Sequence, residues 1–99
     1  MIRHIVMFNL DATEPAQRRA HIEQIRQRLA SLPGVVPGLQ SITLAPDLGH
    51  IEGHWDVVLV SEHDDNAALE GYQTHPAHVE AGAFIRSVTS DRATVDYEL

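Results

Sequence analysis

The feature that most restricts the fold is a pair of segments that are apolar on both sides of an extended backbone. In residues 2–10, the face of Ile2 and Val6 and the opposite face of Ile5 both carry apolar side chains. Residues 55–60 repeat this pattern. Strands of this kind are typical of a sheet that is covered on both faces. The chain is therefore expected to bury both faces of its sheet.

The other segments alternate between helix and strand signals. The first predicted elements are a strand over residues 2–10, a helix capped at Thr13 and ending at Pro33 and Gly34, and strands over residues 39–45 and 55–60. They are followed by a short helix through Leu69 that Asp64, Asp65 or Asn66 can cap, a helix from about Pro76 to Val88, and a last strand around Ala93, Val95 and Tyr97. This βαββαβ order predicts an α+β, ferredoxin-like fold, a four-stranded antiparallel sheet with helices on one face. Without linkers or repeats, residues 1–99 are expected to form one domain.

The uncovered face of this sheet predicts a partner. Two helices can cover one face only, and the other face would expose a contiguous apolar patch formed by Ile5, Met7, Val58 and Val60. A second copy of the same sheet is the simplest cover, so a homodimer is predicted. The alternative is a monomer whose sheet is partly wet, since single exposed apolar side chains are common.

Composition excludes several classes of function. The chain has no cysteine and no lysine, which excludes thiolate nucleophiles, Schiff bases and phosphate-loop lysines. Seven arginines against fourteen acidic residues give a net charge of -7, which disfavours nucleic acid and anionic membranes as partners. No targeting pattern precedes the first strand, and a cytosolic location is expected. Histidine, tyrosine, carboxylates and arginine remain available for chemistry.

The densest group of such residues lies between Tyr72 and Val79. It holds a phenol and two imidazoles, His75 and His78, with Pro76 positioned to open a helix. A neutral imidazole is well suited to moving protons near pH 7, and a tyrosine hydroxyl can hold a carbonyl oxygen.

These residues are expected to converge with His4 above the sheet, if the face of His4 looks towards the helices. The apolar residues predicted to line the same pocket are Val6, Phe8, Val57 and Leu59. The alternative is that His4 and His75 are core histidines satisfied by backbone carbonyls and that Tyr72 only packs.

Four segments together resemble the stress-responsive dimeric α/β-barrel (Dabb) family. They are M-I-R-H-I-V-M-F at residues 1–8, W-D-V-V-L-V at 55–60, Y-Q-T-H-P-A-H-V at 72–79 and V-D-Y at 95–97. The resemblance covers essentially the whole chain, and the Y-x-x-H-P-x-H segment combined with R-H-I-V is its most specific part. It implies a ferredoxin-like protomer whose sheet packs against that of a twin.

The plant olivetolic acid cyclase branch of that family is similar in the same stretch. The resemblance implies that His78 is the general base of an intramolecular aldol closure and that Tyr72 binds the carbonyl oxygen, with His4 and His75 lining the pocket or orienting its groups. The ligand would be a small carbonyl or polyketide-like compound, and no cofactor would be needed. A lining with Thr89, Arg92 and Thr94 is more polar than a long alkyl tail requires. Small-molecule binding or a stress-associated role without catalysis is therefore the function expected first, and the cyclase reaction is the alternative.

A second cluster, His50, Glu52 and His54, has the alternation and ligand types of a divalent metal site. Its neighbouring glycines indicate a loop, in which solvated polar residues are the usual outcome, and no metal site is assigned. His21 and His63 are both expected to be solvated.

Overall fold

The computed structural model describes residues 1–99 and contains seven regular elements. They are β1 (Ile2–Leu10), α1 (Pro15–Ala30), β2 (Leu39–Pro46), β3 (Val57–His63), α2 (Asn66–Thr74), α3 (Pro76–Val88) and β4 (Thr89–Glu98). The strands form one antiparallel sheet in the order β2-β3-β1-β4. The ferredoxin-like prediction is confirmed, and the short helix predicted before Pro76 is present as α2. None of the helices is long and apolar enough to cross a membrane.

The core lies between the helices and one face of the sheet. Val6 and Phe8 of β1 and Leu59 of β3 point to this side and pack in one cluster with Ile25 and Leu29 of α1. Alternate residues of a strand point to opposite faces, so His4 belongs to the same side as Val6 and Phe8. The structure therefore places His4 beneath the helices, as predicted.

The opposite face of the sheet carries the predicted apolar patch. Ile5 lies in register between Val60 and Val95, and Met7 pairs with Val58. Val95 is 60% exposed, and the other four side chains are partly exposed. No helix of this chain covers them.

The region between β3 and α3 differs from the prediction. A helix ending at Leu69 is predicted, but α2 continues through Gly71 to Thr74, because Leu69 and Tyr72 extend the same buried face and this packing outweighs the low helix propensity of glycine. His75 alone separates α2 from α3, with φ -64° and ψ 133°. Proline disfavours a helical conformation of the residue before it, so the chain turns here. Tyr72 consequently lies on a helix rather than on a leading segment.

Predicted boundaries of three other elements also move. β3 does not begin at Trp55 but runs to His63, because it pairs with β1 from Phe8 opposite Val57 to Ile2 opposite His63. β4 begins at Thr89 because it pairs with the whole of β1. Glu14, not Thr13, is the N-cap of α1, and its side chain makes no capping bond.

Gly38 sets the distance between the start of β2 and α2. Its φ of +80° lies in the left-handed region, and a Cβ atom there would be 2.5 Å from the Cβ of Ala68. The carbonyl of Gly38 also accepts a 2.9 Å hydrogen bond from the backbone N–H of Asp64. Glycine at position 38 thus allows the backbone to pack closely against α2, the helix that carries Tyr72.

Candidate functional site

A cavity of about 670 Å³ lies between the sheet, α2 and α3. Six of the residues predicted to form the site line it: His4, Val6, Phe8, Leu59, Tyr72 and His78. A polar set completes the lining and includes Gln73, Arg86, Asp91, Arg92 and Thr94. The volume is in the range of small-molecule sites.

His78 occupies the first turn of α3, two residues after Pro76. Its Nδ1 lies 3.3 Å from the backbone carbonyl of Gln73, which can only accept a hydrogen bond, so Nδ1 carries the proton. The lone pair is therefore on Nε2, which makes no hydrogen bond within the chain. Burial lowers the pKa of His78, as do the nearby His4, Arg86 and Arg92, while the bond to Gln73 opposes this shift. The ring is thus a neutral base near pH 7.

Tyr72 packs directly beside this base. The two ring centroids are 4.0 Å apart and the planes are tilted by 36°. Tyr72 is 1% exposed, and burial raises its pKa, so its hydroxyl keeps its proton. A protonated hydroxyl can donate a hydrogen bond to a carbonyl oxygen.

His4 is held by a carboxylate from the neighbouring strand. Asp96 lies opposite His4 in the ladder between β1 and β4, and its Oδ1 accepts a hydrogen bond from His4 Nδ1. This bond fixes the orientation of a ring that is 7% exposed. The ring of His4 meets that of Tyr72 edge to face at 6.0 Å.

His63 corrects a prediction, because it is fully buried rather than solvated. It is the last residue of β3 on the face of Val57 and Leu59, and its ring lies 4.7 Å from that of Tyr72. Its Nε2 is 2.8 Å from Ser61 Oγ, while its Nδ1 is enclosed without a partner. Burial lowers the pKa of His63, with a further contribution from His4. Strand parity would have revealed this residue had β3 been extended past Val60.

Two residues predicted to bind substrate lie outside this cavity. His75 is the N-cap of α3, and its Nδ1 accepts a 3.1 Å bond from the backbone N–H of Ala77, so the break between the helices turns it away. Val57 is buried at the start of β3, and it lies beside a separate groove near Trp55 and Leu48. Val57 lies on the same face of the sheet as Leu59, but its position nearer the start of β3 places it outside the cavity.

The loop weighed as a metal site does not gather its three ligands. His54 bonds instead to Asp47, with Nδ1 3.1 Å from Oδ1, and the structure contains no group of three or more histidine or acidic residues that could hold a metal. His21, expected to be solvated, is half-buried on α1, with an enclosed Nδ1 that has no partner.

The sequence interpretation also missed Asp96 and Arg86. Asp96 alternates with exposed residues in β4, and only the register with β1 places it against His4. Arg86 follows His78 by eight residues on α3, so the two lie on one helix face. This spacing in the sequence could have indicated that Arg86 lies near His78.

Comparison with known proteins identifies relatives of the whole chain. The model of the stress responsive A/B barrel domain family matches residues 2–99. A dimeric ferredoxin-like protein of unknown function from Thermobifida fusca is 33% identical, with a TM-score of 0.83, over 99% of this chain and 90% of that chain. A search of curated proteins finds no match.

Two further structures are similar. A dimeric protein of unknown function and ferredoxin-like fold from Bacteroides fragilis is 29% identical, with a TM-score of 0.85, over 99% of this chain and 95% of that one. The hydroxynitrile lyase from Passiflora edulis is 17% identical, with a TM-score of 0.80, over 97% of this chain and 90% of that one. At this lower identity, the similarity shows the fold alone.

Proposed function

The chain belongs to the stress-responsive A/B barrel domain (Dabb) family, and we propose that its cavity catalyses proton transfer on a small carbonyl compound without a cofactor. One observation carries the proposal. The free Nε2 of the neutral His78 and the protonated hydroxyl of Tyr72 belong to adjacent rings that line the same cavity.

The first step is abstraction of a proton from a carbon next to a carbonyl group. His78 Nε2 takes the proton, and the electron pair of the C–H bond moves into the carbonyl to form an enolate. The imidazolium formed still donates its Nδ1 proton to the Gln73 carbonyl, which supports the charge. In an intramolecular aldol closure, the enolate carbon attacks a second carbonyl carbon, and the resulting alkoxide takes the proton back from His78.

Tyr72 is assigned to the enolate oxygen. A buried hydroxyl with a raised pKa donates a hydrogen bond without losing its proton, and surroundings of low polarity strengthen that bond. His63 and His4 hold the ring of Tyr72 between edge-to-face contacts, so its position is fixed before substrate binds.

Ligand binding without turnover is the second candidate. It is favoured if Tyr72 has a structural role, because its side chain is only 1% exposed and its ring packs against three histidines. The cavity would then bind a ligand without a hydroxyl group that takes part in a reaction. The presence of a hydroxynitrile lyase among proteins of this fold supports the enzymatic candidate, because it shows that the fold accommodates catalysis.

The experiment follows exchange of the acidic methylene hydrogens of β-dicarbonyl compounds for deuterium in D2O by NMR. His78→Ala is expected to lose roughly 10²–10⁴-fold in rate above buffer, and Tyr72→Phe roughly 10²–10³-fold. His50→Ala and Tyr97→Phe, both outside the cavity, are the matched controls and retain the wild-type rate. Wild-type rates in both site variants would refute the assigned roles. Binding of a probe to the wild type with exchange no faster than buffer would select the second candidate.

We further propose that two copies pack through their sheets. The apolar patch around Ile5, Val60 and Val95 is uncovered in one chain, and two of the similar structures are described as dimeric. Light scattering is expected to give about twice the 11.0 kDa chain mass. Val60→Glu is expected to yield monomer, while Ala20→Glu on the exposed side of α1 stays dimeric. A monomeric wild type at micromolar concentration would contradict this assembly.

A further inference from the structure

Two arginines line the same cavity as His78. Arg86 lies on α3, where His78, Gly82 and Arg86 follow one another at intervals of four residues on one helix face. Arg92 lies on β4, opposite Phe8. A helix and a strand therefore each contribute one arginine to the lining of the cavity.

Gly82 leaves room for the first of these groups. A Cβ atom at Gly82 would lie 3.3 Å from Nη1 of Arg86, so the guanidinium lies back over the glycine towards the turn that carries His78. Gly82 itself lines the cavity. Any larger residue at this position would crowd the charged end of Arg86.

Neither arginine is neutralised within the chain. Four of the other five arginines have side-chain partners: Arg3 with Glu62, Arg18 with Asp56, Arg26 with Glu23, and Arg28 over the ring of Phe84. Arg86 and Arg92 make no ion pair and no side-chain hydrogen bond, although the chain carries fourteen acidic residues.

The two charges also act on the base. Their positive potential contributes to the lowered pKa of His78, after burial and alongside His4, so both guanidinium groups lie within electrostatic reach of the imidazole. A ligand whose proton is taken by His78 is therefore held within the field of both arginines.

We infer that the ligand of this cavity carries a carboxylate, which Arg86 and Arg92 bind while its carbonyl group reaches His78 and Tyr72. The substrate class is then a small oxo acid, an inference that rests on the proposed proton transfer. Guanidinium groups pair with carboxylates through two parallel hydrogen bonds. The cavity also contains Asp91, and the chain has a net charge of -7, both of which favour a singly charged carboxylate over a phosphate dianion.

The test compares two probes of equal carbon skeleton, 3-oxohexanoate and the neutral 3-oxohexanamide, by NMR titration. The wild type is expected to bind the acid roughly tenfold or more tightly than the amide. Arg86→Gln and Arg92→Gln are each expected to weaken binding of the acid roughly tenfold and to leave binding of the amide unchanged. Arg19→Gln removes the same charge from the exposed side of α1 and is the matched control, with wild-type affinity for both probes.

Equal affinities of the wild type for acid and amide would overturn the inference, and so would an Arg19→Gln effect as large as that of Arg86→Gln. Inorganic phosphate that binds more tightly than the acid would overturn the assignment to a carboxylate. Deuterium exchange in the same samples separates this inference from the proposed reaction. Selective binding of the acid without exchange refutes the reaction alone, whereas exchange on both probes without acid selectivity refutes the carboxylate site alone.

Discussion

Replacing Gly38 by alanine is expected to destabilise the protein more than an alanine at any of the chain's other glycines with positive φ. The left-handed φ of +80° costs a residue with a Cβ about 1–2 kcal/mol. The new Cβ would also lie 2.5 Å from the Cβ of Ala68, where ordinary contacts are 3.4–4 Å, and overpacking of this kind adds about 1–3 kcal/mol. The sum is about 2–5 kcal/mol, a large fraction of the stability of a small domain.

Thermal unfolding at one fixed protein concentration measures this loss. For a chain of this length, each kcal/mol lowers Tm by roughly 4–8 °C, so Gly38→Ala should lower Tm by roughly 8 °C at the least. Gly49→Ala is the matched control, because Gly49 has a φ of +81° but nothing within 4 Å of its Cβ position. It is expected to lose only the backbone contribution of about 1–2 kcal/mol.

A double-mutant cycle isolates the contact with α2. Ala68→Gly removes the atom that the new methyl group would meet, at its own cost of about 1 kcal/mol within a helix. Gly38→Ala combined with Ala68→Gly should therefore be more stable than the sum of the single losses by about 1–3 kcal/mol. The close packing of α2 against Gly38 would be refuted if Gly38→Ala and Gly49→Ala lost equal stability and the energies in the cycle were strictly additive.

Three further predictions concern the histidines. Because the pKa values of His63 and His78 are lowered in the folded protein, the unfolded chain takes up these protons at a higher pH than the folded one. The urea midpoint should therefore be constant at pH values above the unfolded pKa of about 6.5 and should decrease as the pH is lowered further. This decrease should be less steep in His63→Gln. Ser61→Ala removes the partner of His63 Nε2 and should cost about 1–3 kcal/mol in urea unfolding, and a loss below about 0.5 kcal/mol would show that the bond is unimportant. His75→Ala removes the cap of α3 and should cost about 1 kcal/mol, which His75→Asn restores if capping is the cause.

The fold was predictable because its strands are strongly patterned, whereas the site was predictable only in part. Apolar residues on both faces of β1 and β3 indicate a sheet whatever surrounds it, and parity alone places His4 beside Val6. His63 was missed because its neighbours are acidic, and its burial comes from pairing with β1 and from the packing of α2, which no local pattern shows. Val57 was wrongly assigned to the cavity for a related reason, since parity gives the face of a residue but not the position of the cavity along the strand.

The pairing of β1 with β4 has a consequence for how the molecule is built. His4 and Asp96 are 92 positions apart in the sequence, and Arg92 also lies on β4 opposite β1. Contacts of such long sequence separation require closure of a large loop and are costly to form early in folding. During synthesis from the N-terminus, β1 must remain without this neighbour until the last strand emerges. The helices and β3 can assemble around Tyr72 and His78 before then. Asp96, which orients His4, and Arg92 are therefore added together, when β4 pairs with β1 and completes the cavity.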